Sequence, residues 1–131
     1  MPKKYTKKSS KVAIVGAGFV GSTAAYAMLI EGAASDIVLI DVNKEKAEGE
    51  AMDLRHGLQF KRNVDIDFGT DYKLCKDADI VVITAGRHTK AGQSRLDLVK
   101  ENSALFKKII PHITKYNKDC ILLIVSNPLD V

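Results

Sequence analysis

The sequence predicts an α/β protein built on a doubly wound parallel sheet of five strands in the order 3-2-1-4-5. Three observations carry that prediction. Near-continuous runs of Val, Ile and Leu recur along the chain, as parallel strands buried on both faces require. Helical patterns fill the intervals between the runs. The first run, Val12-Ala13-Ile14-Val15, enters a glycine-spaced turn that opens a helix, and Asp41 closes the next run.

The first strand is expected over residues 12–16, with a helix over 19–31 that is small and apolar nearly all round, a pattern suited to tight packing on a sheet. The second strand spans 36–41, and a charged, amphipathic helix over 43–56 follows, with Asn43 placed to cap it. Strands over 64–68 and 79–85 come next. A polar segment, Arg87 to Arg95, has glycine hinges and leads into a helix from about Ser94 to Tyr116, so it reads as a flap carrying a cation. Pro111 lies inside that helix and predicts a kink or break. The fifth strand, over 120–125, ends the alternation at a sheet edge, and right-handed crossovers are expected throughout.

In such a sheet, ligands sit at the carboxyl ends of the strands, where the order reverses. That edge receives Gly16 to Gly21, Asp41, Thr84-Ala85-Gly86 and Ser126-Asn127-Pro128. The glycines have separate tasks. Gly16 turns the chain tightly out of a strand, Gly18 lets a pyrophosphate approach the backbone, and Gly21 lets the helix pack on the sheet. The helix start offers unpaired N–H groups to phosphates. Asp41 can accept hydrogen bonds from a ribose diol, and its charge disfavours a 2′-phosphate, so NAD is the expected cofactor rather than NADP.

Composition bounds the alternatives. The chain has 131 residues, enough for one domain that buries roughly two-thirds of its unfolded surface. Its net charge of +4 owes much to Lys3, Lys4, Lys7, Lys8 and Lys11, and the rest is close to neutral. Residues 1–10 are expected to be a flexible basic arm and 11–131 the dinucleotide-binding domain, without nucleic-acid or membrane partners. Neither a signal-peptide core nor a membrane-spanning run is evident in the sequence. Cys75 and Cys120 form no CxxC motif and no metal pattern, so no metal is expected, and they read as reduced cysteines of a cytoplasmic protein.

Several motifs in collinear order resemble the amino-terminal half of the lactate/malate dehydrogenase family, its lactate branch in particular. They are Gly-Ala-Gly-Phe-Val-Gly-Ser at 16–22, Asp41 to Lys44 with Gly49 to Leu54, Thr84-Ala85-Gly86, Ser94 to Val99, and Val125 to Val131. The resemblance implies that Gly16, Gly18 and Gly21 bracket the pyrophosphate, with Val20 against the cofactor. Asp41 would hold the adenosine ribose with help from Lys46, and Tyr72 and Gly86 would line the adenine half. Val125 would lie beside the nicotinamide ribose, and Asn127 would touch both that ribose and the substrate. Arg95 would be the catalytic flap arginine, which polarises the carbonyl of a small 2-keto or 2-hydroxy acid when the loop closes.

Two departures accompany the likeness. Thr89 occupies the flap position that discriminates substrates, where lactate-type members commonly carry glutamine and malate-type members arginine. Malate or another 2-hydroxy acid therefore stays open as substrate, as does a stand-alone NAD-binding module without chemistry. In the family, the catalytic histidine, its orienting aspartate and the arginine that binds the substrate carboxylate would all lie beyond Val131. None of His56, His88 or His112 matches that histidine by motif. The chain alone is expected to bind NAD without turnover, and the 43–56 helix to lie at a subunit interface of a homo-oligomer.

Overall fold

A computed structural model describes residues 10–58, 64–88 and 90–127. Strand β1 (Lys11–Val15) leads through the glycine turn into helix α1 (Phe19–Glu31), and β2 (Asp36–Ile40) into α2 (Lys44–Gly57). Then come β3 (Asp65–Gly69), a 3₁₀ turn (Tyr72–Cys75), β4 (Ile80–Ile83), α3 (Arg95–Tyr116) and β5 (Ile121–Ile124). All four strand pairings are parallel, in the order β3-β2-β1-β4-β5, as the sequence predicts. The expected basic arm falls almost wholly outside the described residues, as do Thr89 and the segment after Asn127.

The apolar runs are explained by two cores, one on each face of the sheet. Val12, Ile14, Ile37 and Leu39 pack with Ala25 and Leu29 of α1 and with Ala51 and Leu54 of α2. Their neighbours Ala13, Val15, Val38 and Ile40 point the other way, joining Val81, Ile83 and the α3 residues Ile109 and Ile113. A strand alternates its side chains between faces, so burial on both faces demands apolar residues at every position. The edge strands escape that demand. Asp65 and Asp67 alternate with Ile66 on β3, and β5 leaves Ile121, Leu123 and Ile124 largely exposed.

The capping expectation at Asn43 holds. Asn43 Oδ1 accepts the Lys46 N–H at 3.1 Å, and Ser94 and Asp97 form a reciprocal capping box at the start of α3. Three details differ from expectation. Helix α3 runs unbroken through Pro111, because packing of Ile109 and Ile113 against the sheet holds the turn around the missing N–H. Helix α1 buries one stripe, Gly21, Ala25 and Leu29, while Tyr26 and Ile30 on other faces stay exposed. Between the strands expected over 64–68 and 79–85, where no helix is predicted, a 3₁₀ turn forms at Tyr72–Cys75; Asp71 caps it by accepting the Lys73 N–H at 2.8 Å. Cys75 ends this turn, buried, and burial followed by the neighbouring Cys120 pushes its thiol up to about 11.

Candidate functional site

The carboxyl ends of β1, β2 and β4 meet the start of α1 around a cavity of about 420 Å³. Its shape begins with Gly16, whose φ of +110° few other residues adopt. Its N–H donates to the Ile40 carbonyl at 2.7 Å, so the turn is fastened to the end of β2. A side-chain carbon on Gly16 would stand 2.7 Å from both Ala85 N and Thr84 Oγ1. One on Gly21 would overlap the Gly16 carbonyl oxygen. These two glycines therefore serve close backbone packing, which seats α1 against β1 and β4.

Gly18 is different. Its φ of −76° is ordinary, and a side-chain carbon there would meet only Lys46 Nζ, at 3.9 Å. The space in front of Gly18 is open, and a lysine ammonium stands at its border. Gly18 is also the N-cap of α1, a helix with no side-chain cap and no acidic residue in its first turn. Its leading N–H groups are thus left to a ligand, and the helix dipole favours an anion. Open space, free N–H groups and a cation together fit a pyrophosphate.

Asp41 sits one residue past β2, where its carboxylate can reach back to the turn. Oδ2 accepts the Ala17 N–H at 2.8 Å and Oδ1 the Asn43 N–H at 2.9 Å. A carboxylate has about four acceptor positions, so two remain for the hydroxyls of a ribose. Tyr72, on the 3₁₀ turn, borders the same cavity and stacks on His112 of α3 with ring centroids 5.5 Å apart. Burial, then the nearby Cys75 and Asp41, push its phenol pKa up, so it is a neutral hydrogen-bonding group at neutral pH.

Of the residues singled out from sequence, Gly16, Gly18, Val20, Gly21, Asp41, Lys46, Tyr72 and Gly86 all border this cavity. Arg95, Val125 and Asn127 do not. Arg95 is the first residue of α3, exposed and in no ion pair among the described residues; Asp97 is taken up by Ser94 instead. Val125 continues β5, its N–H donating to the Ile83 carbonyl at 2.9 Å. Asn127 is exposed, with its carbonyl bound by the Asn102 side chain. The cavity also uses Thr70, Leu105 and Ile109, which sequence reasoning did not assign to the site. Leu105 and Ile109 stand four residues apart on α3, and the spacing that buries an apolar stripe also lines one wall of the pocket.

Comparisons with known proteins agree with this geometry. The family described as lactate/malate dehydrogenase, NAD binding domain, matches residues 10–131. An L-lactate dehydrogenase of Acetivibrio thermocellus is 58% identical over 125 residues, which is 95% of this chain and 39% of that protein. One from Clostridium botulinum is 55% identical over the same length. Among solved structures, the minor L-lactate dehydrogenase of Enterococcus mundtii superposes with a TM-score of 0.88 at 50% identity, covering 93% of this chain and 39% of the other. A lactate dehydrogenase from a Medee basin deep-sea metagenome library gives 0.87 at 50% identity. The chain thus spans about 39% of the length of the relatives it matches.

Proposed function

Because this chain belongs to the NAD-binding domain family of lactate and malate dehydrogenases, we propose that it is the cofactor half of an L-lactate dehydrogenase-like oxidoreductase. The observation that carries this reading is the joint fit of the turn: open space before Gly18, an uncapped α1, and Asp41 with acceptor capacity to spare. Gly18 and the α1 N–H groups would take the pyrophosphate, aided by Lys46. Asp41 would hold the adenosine ribose, and Tyr72 and Gly86 the adenine side. When bound, NADH supplies the hydride for reduction of a small 2-keto acid. Arg95, carried on the flap, would stabilise the negative charge that develops on the substrate oxygen. Asn127 and Thr89 would face the substrate. Proton delivery would fall to a histidine that none of His56, His88 or His112 matches by motif.

Pyruvate is the substrate favoured by the lactate-type relatives, which are more than half identical in sequence. Thr89 offers no cation for a second carboxylate, which counts against oxaloacetate. A homo-oligomer through α2, whose Met52 is 46% exposed, belongs to the same proposal. Titration calorimetry of the 131-residue chain should show NADH binding, with no pyruvate reduction by the chain alone. Within a full-length dehydrogenase, the domain should support reduction of pyruvate in preference to oxaloacetate; the reverse preference defeats the lactate reading. Pyruvate turnover by the isolated chain would defeat the claim that proton delivery lies elsewhere.

A further inference from the structure

Asn102, on the face of α3 turned to the sheet, is a polar side chain only 3% exposed. Its Oδ1 accepts the Arg87 N–H at 2.9 Å, and its Nδ2 donates to the Asn127 carbonyl at 2.8 Å. One amide therefore joins the segment leaving β4 to the segment leaving β5. The preceding residue, Glu101, holds the same flap at its other end. Its Oε1 accepts from Gln93 Nε2 at 3.0 Å, and its Oε2 lies 3.7 Å from Arg87 Nε. That Oε2 is buried without a hydrogen-bond partner among the described residues, leaving the Arg87 contact unsaturated. Gln93 in turn closes on Lys90, donating its N–H to the Lys90 carbonyl at 3.0 Å and accepting the Lys90 N–H at 3.1 Å.

We propose that Asn102 is a positioning residue for the reacting end of the cofactor site, setting the spacing between the flap root at Arg87 and the turn that carries Asn127. The inference rests on the reading that this chain binds NAD with Asn127 at the nicotinamide end. An asparagine suits the task because it alone, at this length, presents an acceptor and a donor from opposite corners of one plane. Buried as it is, each half of the amide needs its partner, so the two segments are held in a fixed relation. Glu101 adds the second tether, so flap movement must pivot about α3.

The test separates the two ends of the cofactor. NADH and ADP share the adenosine diphosphate moiety, but only NADH carries the nicotinamide ribose that reaches toward Asn127. Asn102→Ala should weaken NADH about tenfold while changing ADP by less than about twofold, and amide exchange at Arg87 should accelerate. Asn102→Asp keeps the acceptor for Arg87 and removes the donor to Asn127. It should weaken NADH selectively with Arg87 still protected, and it decides the matter if the alanine variant fails to fold. Equal loss for both ligands, or for neither, overturns the proposal. If the unaltered chain binds neither NADH nor ADP, the nucleotide-binding reading itself falls.

Discussion

On the β1–β2 side of the carboxyl edge the backbone itself forms the binding surface, whereas on the β4–β5 side side chains hold the segments together. In the first region Gly16 is fastened to Ile40, Ala17 to Asp41, and Gly21 to the Gly16 carbonyl by direct packing. In the second, Asn102, Glu101 and Ser126 reach across gaps to the backbone or to the flap. The first region lines the cavity, with Ala17 and Gly21 buried and Gly16, Gly18 and Asp41 half-buried. The second ends at β5, with Ile121 and Leu123 more than half exposed. A phosphate-binding surface made of backbone has little freedom to move, which suits a fixed anion site. A buried amide joining two segments fixes their relation, which would suit the root of the proposed flap.

The largest expected effect tests how rigid the first region is. Gly21→Ala puts a carbon into the Gly16 carbonyl, and should cost about 3 kcal/mol in urea unfolding. Gly18→Ala meets open space and an ordinary φ, so stability should change by less than about 0.5 kcal/mol. Its NADH affinity should nevertheless fall, because the new carbon occupies the pyrophosphate's approach. A Gly18→Ala chain that binds NADH normally would break the distinction between the two glycines.

Asp41 offers the next test, since it serves both the turn and the ribose. Asp41→Ala removes charged hydrogen bonds worth about 2 kcal/mol, and NADH should weaken roughly thirtyfold. The preference for NADH over NADPH should narrow at the same time. Retained discrimination against NADPH would mean that another group sets it.

The smallest effect belongs to the second region, at the root of α3. Ser94→Ala removes the capping box and should lower the melting temperature by a few degrees, with ADP-ribose affinity unchanged. The hydrogen bonds from Ser94 hold the Asp97 carboxyl below its usual pKa. Its contribution is therefore fully present above the ordinary carboxylate pKa and is lost as pH falls through the lowered folded value. The melting difference between the two proteins should be largest at neutral pH and should narrow in acid, where only the Asp97 N–H bond to Ser94 Oγ remains. A difference that does not narrow would mean that the Asp97 carboxylate contributes nothing to the cap.

Much of this was legible from local pattern. The glycine turn, Asp41 at the strand end and the Asn43 cap depend on residues close in sequence, and each stands where the spacing put it. Strand order followed from the alternation of elements. Pro111 argues locally for a kink or break, and the helix does not break there, because the packing of Ile109 and Ile113 outweighs the missing N–H. The 3₁₀ turn carries a local signal, Asp71 before Tyr72, but four residues give no periodicity to detect. Asn102 gave no signal at all, since an asparagine in a long helix usually faces water.

The sequence by itself determined which segments pair, which faces they bury and where the nucleotide turn lies. Those properties follow from side-chain period and backbone freedom, which neighbouring residues dictate. Tertiary structure alone decided which side chains share the cavity wall. It also decided what a buried amide joins. Asn102 meets partners 15 and 25 residues away, and only the packing of α3 across the sheet brings them within hydrogen-bonding distance.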